Sequence, residues 1–410
     1  MALVVQKYGG TSVGNVERIR NVARRVAETY DAGNDVIVVV SAMSGETNKL
    51  VGLAHEVCEF PDDREYDVLV STGEQVTIAL LTMCFKAMGY KAKSYLGSQV
   101  PIMTDSSYSK ARIEKISDKK IRADLEERNI IVVAGFQGVD KEGNITTLGR
   151  GGSDTSAVAI AAALKADVCE IYTDVDGVYT TDPNICDDAR KIHKISYDEM
   201  LELASLGAKV LQIRSVQFAK KYNVDVHVRS SFTDTEGTLV TREDKEMESI
   251  LVSGITYAKD EAKIAVMRVP DKPGIAAKLL SPMSDAGISV DMIVQNASED
   301  GYTDFTFTVT KSDFKKALLI TKKVAEEIHA KDVQTDEGIS KVSIVGLGMR
   351  THAGVATKMF QTLAGEGINI QMISTSEIKI SVVIDAKYTE LAVRVLHDAF
   401  GLSGKDVRAE

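Results

Sequence analysis

Several features are missing from this sequence, and each absence removes a class of function. No block of basic residues is dense enough to track a phosphodiester backbone, and 49 Lys and Arg stand against 59 Asp and Glu for a formal charge of −10, which argues against a nucleic-acid partner. The four cysteines, Cys58, Cys84, Cys169 and Cys186, are scattered. With no C-x-x-C pair and no histidine spacing for zinc, they read as buried or incidental thiols in a reducing cytoplasm, and no metal site is expected. The N-terminus lacks a basic n-region followed by a long apolar stretch, and no apolar run approaches the ~18 residues that cross a bilayer. Secretion and membrane insertion are both disfavoured. A Walker A loop is absent too: Gly9 and Gly14 have its spacing, but Asn15 follows and Lys7 comes first.

What is present is a chain of 410 residues, 44% hydrophobic and 26% charged, the balance of a globular protein. At roughly 100 to 200 residues per domain it holds two to four. Unbroken Val- and Ile-rich runs recur through the first half, at Leu3 to Val5, VIVVV (Val36 to Val40), IIVVA (Ile130 to Ala134) and Val168 to Tyr172. Such runs indicate strands buried on both faces, with amphipathic stretches such as Val16 to Tyr30 and Gln75 to Met88 as covering helices. The pattern is that of a parallel-rich, three-layer α/β sheet domain over residues 1–229. Residues 230–248 are polar and turn-rich and read as a linker.

The second half is duplicated. DKPGIAAKLLSPMSDAGISVDMIVQN, Asp271 to Asn296, aligns without gaps on THAGVATKMFQTLAGEGINIQMISTS, Thr351 to Ser376, 80 residues later. Each copy reads β-α-β-β followed by a helix, the ferredoxin-like α+β layout. The copies occupy 249–340 and 341–410, with the first strand of that span open to sharing with the second copy. Modules of ~70 residues need further burial, so pairing between modules or between chains is expected.

In the first half, KYGGTSVG (Lys7 to Gly14), SAMSGETN (Ser41 to Asn48), STGEQ (Ser71 to Gln75), GFQG, TTLGRGGSDTSA (Thr146 to Ala157) and YTDVDGVYTTDP (Tyr172 to Pro183) nearly all follow a strand pattern. In a parallel sheet they gather at its carboxyl edge, where ligands bind. Glycines and hydroxyls after a strand let backbone N–H groups approach an anion closely. These motifs, the following LGAKVLQIRS and the tandem modules together resemble the aspartate kinases of the amino acid kinase family, with two ACT-type modules. The resemblance spans essentially the whole chain, and GRGGSD with TDVDGVYTTDP carries it most specifically.

The resemblance implies transfer of the γ-phosphate of ATP, brought with Mg2+, to the β-carboxylate of L-aspartate, giving 4-phospho-L-aspartate, the first step toward lysine, threonine and methionine. Lys7 and Lys209 match its phosphate lysines and Asp154 the acid that orients them, the catalytic set. Lys7, Tyr8, Gly9, Gly10, Thr11 and Ser12 form the phosphate cradle. Thr173, Asp174, Tyr179 and Asp182, with Lys209 and Val210, would hold the rest of the nucleotide. Ser41, Thr47, Glu74, Phe136, Arg150, Gly151, Gly152 and Ser153 match the aspartate pocket, Glu74 facing the ammonium and Arg150 forking a carboxylate. Each has a plainer reading: Lys209 as a solvated helix lysine, Glu74 as a surface helix residue, Phe136 as core, and Asp154 or Ser153 as a helix cap. A calcium loop at Asp174 to Gly177 is rejected because the remaining ligand positions are unfilled.

On pattern alone, two small modules could serve only for dimerisation. The resemblance instead implies feedback control, with lysine, threonine or both bound where a turn meets a helix N-terminus. The matching residues are Asp271, Lys272, Pro273, Gly274, Ile275 and Ala276, with Asp291 and Gln295 on the next strand and Thr375, Ser376 and Glu377 at a shared interface. In the second copy Thr351, His352 and Ala353 replace Asp, Lys and Pro, so the copies should differ. Assembly as a homo-oligomer or an α2β2 complex is expected, the latter if translation also starts at Met247. The competing readings are an amino-acid sensor with an inactive kinase domain and a family member with another acceptor.

Overall fold

The computed structural model describes residues 1–207, 210–296 and 300–403. The described chain divides into two compact units, residues 1–179 with 191–248, and residues 180–190 with 249 onward.

In the first unit the Val- and Ile-rich runs form an eight-stranded sheet. Its order is Lys194–Ser196, Thr238–Thr241, Val226–Ser230, Val168–Thr173, Leu3–Tyr8, Asp35–Val40, Ile130–Ala134 and Ala92–Tyr95. All neighbours are parallel except Val226–Ser230 against Thr238–Thr241. The central strands are buried along nearly their whole length, as expected for a sheet covered on both sides. Helices Val16–Asp31 and Thr72–Ala87 supply Ile19, Val22, Val26, Ile78, Leu81 and Phe85 to the core on one face. Helix Gly152–Leu164 is buried almost throughout and packs against the first strand.

Residues 230–248, expected as a linker, are not one. TLVT pairs with Val226–Ser230, burying Thr238 and Val240, and Gly237 is needed because a Cβ there would lie 1.7 Å from the Val228 carbonyl oxygen. The polar composition reflects a short strand, one place in from the sheet's edge, that buries only alternate residues. The helical stretch Asp63–Ala87 is, by length and composition, apolar enough to cross a membrane, which inspection for long apolar runs does not suggest. Half of that window is buried inside the unit, and the stretch breaks into helices Asp63–Val70 and Thr72–Ala87. It is a core helix pair.

In the second unit each copy of the repeat is a four-stranded antiparallel sheet backed by two helices. The first copy has the order Val290–Gln295, Tyr302–Thr310, Glu261–Pro270, Asp332–Asp336. The second has Met372–Thr375, Lys379–Asp385, Ile339–Val345, and then Gly254–Ala258 in the outer position. That last strand precedes the first copy in sequence, so the first copy is inserted within the second. The duplication extends to backbone angles: Gly274 and Gly354 have φ of 92° and 93°, and Gly287 and Gly367 have 71° and 68°. Residues 180–190 also belong to this unit: Ile185 packs on the core of the second copy, and the Ile255 N–H donates to the Thr180 carbonyl at 2.7 Å.

Candidate active site

The carboxyl ends of the central strands are stitched together by the loops that leave them. Gly9 N–H donates to the Tyr172 carbonyl, Ser41 N–H to Tyr8, Gly135 N–H to Val40 and Ser231 N–H to Thr173. The motif residues are thereby gathered along one edge. Lys7 is the last but one residue of the first strand and is buried, its ammonium 2.6 Å from Asp154 Oδ1. Asp154 lies in the first turn of helix Gly152–Leu164, but the cap is Gly151 (φ 66°) and no side chain caps it. The capping interpretation of Asp154 and Ser153 is thus not what the structure shows. Asp154 pairs with Lys7 instead.

After Lys7 the cradle turns tightly, with Ser12 N–H donating to the Gly9 carbonyl at 2.9 Å. A Cβ at Gly10 would sit 3.0 Å from the Ala42 carbonyl oxygen, so glycine permits the close approach of two loops. Arg18 donates to the Thr11 carbonyl at 2.6 Å, and the Ser12 and Ser231 hydroxyls lie 2.5 Å apart. Tyr8 is core rather than loop: its ring stacks on Tyr172 at 4.7 Å.

Glu74 is the most informative acid. It occupies the first turn of helix Thr72–Ala87 and is 3% exposed; Oε1 accepts from the Ala42 N–H at 3.0 Å, whereas Oε2 is buried with no partner. Burial raises its pKa from 4.5 to about 7, against the opposing backbone hydrogen bonds. An unmatched buried carboxylate oxygen is costly, and a bound cation would relieve it. Ser41 and Thr47 are half-buried in the loop and helix that follow the strand Asp35–Val40.

Phe136 sits in the left-handed region (φ 68°), its N–H donating to Ser156 Oγ and its carbonyl accepting from Leu148 N–H. A Cβ at Gly152 would lie 2.9 Å from the Phe136 ring, and one at Gly135 would lie 2.8 Å from Ser153. The GFQG corner and the LGRGGS loop therefore interlock, which presents Arg150 as an exposed side chain beside the helix start. Ser156, Ser231 and Gln212 complete these contacts and were not singled out from the sequence; only the LQIRS run, known as a motif without a role, pointed toward Gln212.

The nucleotide residues are brought together in part. Thr173 ends the strand Val168–Thr173 and Asp174 follows it, and Tyr179 donates to Asp176, which also pairs with Lys191 at 3.2 Å. Asp182 lies in the second unit, where it accepts from Tyr257 and from the Asn184 amides. Val210 lies in a turn ahead of helix Ile213–Tyr222. Lys209 lies outside the described residues.

In the second unit Asp271 to Gly274 form an exposed turn ahead of helix Ile275–Asp285, whose first turn holds Ile275 and Ala276 and which no side chain caps. Its amides are open to an anion. Gln295 ends the strand Val290–Gln295, and Thr375, the position equivalent to it in the repeat, is followed by Ser376 and Glu377, all exposed. Asp291 is engaged: Lys341, its side chain 5% exposed, pairs with it and with Glu261 at 2.9 Å. Lys341 stands where Lys263 stands in the first copy, and as Lys341 reaches Asp291, Lys263 donates to Gln371, the position equivalent to Asp291; Met292 and Met372, also equivalent, share one apolar cluster. The two copies thus meet through matching positions, as around a two-fold axis.

The model of the amino acid kinase family matches residues 2–230, and ACT domain models match residues 263–326 and 342–400. An aspartokinase of Pseudomonas aeruginosa is 62% identical over 98% of this chain and 98% of its own length. Among solved structures, E. coli aspartokinase III in complex with aspartate and ADP superposes with a TM-score of 0.80 at 26% identity, covering 97% of this chain and 99% of that one. The same enzyme in complex with lysine and aspartate gives 0.78 at 26% identity, with the same coverage. The chain belongs to the amino acid kinase family, among the aspartokinases, with two ACT domains behind the kinase domain.

Proposed function

We propose that this kinase transfers the γ-phosphate of ATP to the β-carboxylate of L-aspartate and that its ACT domains let lysine, threonine or both suppress turnover. Glu74 carries the acceptor assignment, because its unpartnered buried oxygen calls for a cation and a free amino acid brings an ammonium. Arg150 supplies the complementary fork for a carboxylate. Both are suited to an unblocked amino acid rather than an acylated one or a nucleotide. The complexes of E. coli aspartokinase III with aspartate, ADP and lysine support this reading.

In the reaction a β-carboxylate oxygen attacks the γ-phosphorus, the bond to the bridging β–γ oxygen breaks and ADP departs. The nucleophile is already ionised, so no general base is required, and no phosphoenzyme is formed. Charge on the moving group must be neutralised and the two oxygens aligned. Lys7 does the former, held toward the phosphates by Asp154, while the amides of the Gly9–Gly10 turn receive phosphate oxygens. Mg2+ bound to ATP contributes further neutralisation when present. Four cysteines without disulfides suit a reducing cytoplasm, and the open helix starts of the ACT modules suit an effector carboxylate.

The test is ADP release from MgATP with L-aspartate, repeated with lysine, threonine and both. Turnover with aspartate that falls when an effector is added is expected. Turnover that ignores both amino acids overturns the regulatory assignment.

A further inference from the structure

The loop that presents Arg150 is held almost wholly from outside. Gly149 and Gly151 have φ of 76° and 66°, and glycine has little preference of its own there, so the loop's shape is set by its partners. Gln212 Nε2 donates to the Arg150 carbonyl at 2.7 Å, and Arg214 donates to the carbonyls of Leu148 and Ala111, each at 2.7 Å. The third partner is Asp67, on helix Asp63–Val70 and 0% exposed. It accepts from the Thr147 N–H at 2.7 Å and the Thr147 hydroxyl at 2.6 Å, and from the Ser109 N–H at 2.9 Å. Among the described residues no basic side chain pairs with it.

A buried carboxylate satisfied only by N–H and O–H donors is an expensive way to hold a fold together, since an apolar side chain would avoid its desolvation. What it gathers explains it. Thr147 ends the strand Ile145–Thr147 three residues before Arg150, and the Ser109 carbonyl lies 3.0 Å from where a Gly149 Cβ would be. Arg150 in turn lies close enough to Tyr66, the neighbour of Asp67, to oppose the rise in its pKa caused by burial and by Asp67. The helix pair that carries Asp67 continues directly into Glu74. One continuous piece of chain therefore bears the group facing the substrate ammonium and the group that fixes the loop of the carboxylate-binding arginine.

We propose that Asp67 is a positioning residue for the acceptor site: by pinning Thr147 and Ser109 it fixes the LGRGG loop so that Arg150 stands at the right distance from Glu74 to grip aspartate. The proposal rests on the reading of Arg150 as the carboxylate fork. A displacement of about an ångström is enough to cost a hundredfold in a well-aligned site, so the effect should fall on aspartate and spare ATP.

The test compares steady-state kinetics of Asp67→Asn, Gln212→Ala and Arg150→Ala in the full chain, with melting temperatures. Gln212 is only half-buried, so its loss leaves no stranded charge and serves if Asp67→Asn fails to fold. The expected result is a KM for L-aspartate raised about tenfold or more in all three, with the KM for ATP within about twofold. A purely structural role for Asp67 would lower kcat through loss of active protein and leave both KM values unmoved. If Arg150→Ala raises the aspartate KM but folded Asp67→Asn and Gln212→Ala do not, positioning is overturned while the fork reading stands. If Arg150→Ala leaves it unchanged, the fork reading falls, and the proposal with it.

Discussion

Glu74 makes the site's most specific demand at the scale of single residues. A carboxyl whose folded pKa is raised to about 7 from 4.5 holds its proton better in the folded state. In the ligand-free protein its contribution to stability is therefore present at low pH and lost as pH rises from about 4.5 to 7. Binding an ammonium needs the ionised form, so affinity for L-aspartate should rise about tenfold between pH 6 and 8. Calorimetric titration reads this, and a profile that Glu74→Gln leaves unchanged contradicts it. For the phosphoryl end, Lys7→Ala should lower kcat by about a hundredfold or more, measured by ADP release at saturating substrates, with little change in the aspartate KM. The residue types of this site were legible in the sequence as motifs at strand ends. Their partnerships were less so: the resemblance implied that Asp154 orients Lys7, but that Gly151 and not Asp154 takes the cap in a left-handed conformation, and that one Glu74 oxygen is buried without a partner, is set by the fold and not revealed by spacing.

At the scale of elements, hydrophobic pattern exposed the central strands and the repeat because both-face burial and duplication write themselves directly into sequence. Thr238–Thr241 escaped because a strand of four residues that buries only alternate side chains has too little apolar content to stand out from a turn-rich stretch. Gly254–Ala258 could be suspected of being shared, but its partner, Ile339–Val345, lies beyond an entire inserted module, and no local signal specifies a pairing across that distance. Two predictions belong here. Gly274→Ala and Gly354→Ala should each cost about 1 kcal/mol by forcing alanine into the left-handed region, and equally, because both angles match and nothing lies within 4 Å of either added Cβ; urea denaturation measures both. Lys341→Ala strands Glu261, whose Oε2 already lacks a partner, and should cost about 3 to 5 kcal/mol by the same measurement. A loss below about 1 kcal/mol would mean water reaches the vacated position.

At the scale of the whole molecule, the division between the units does not follow the sequence in two simple halves. Thr180–Arg190 leaves the kinase unit and is built into the other: Thr180 contacts His397 at 2.9 Å, Arg190 donates to the Leu402 carbonyl and Arg394 to that of Ile185. A fragment beginning at Met247 would lack that segment and uncover the core surface under Ile185. Its melting temperature should lie below that of the same unit in the full chain, and equal values would show the segment to be dispensable. The central claim is the reaction itself. The most direct measurement is ADP release from MgATP with L-aspartate in the presence of hydroxylamine, which converts an acyl phosphate into a hydroxamate. The account predicts one aspartyl hydroxamate per ADP; folded protein that binds MgATP yet forms no hydroxamate from aspartate would contradict it.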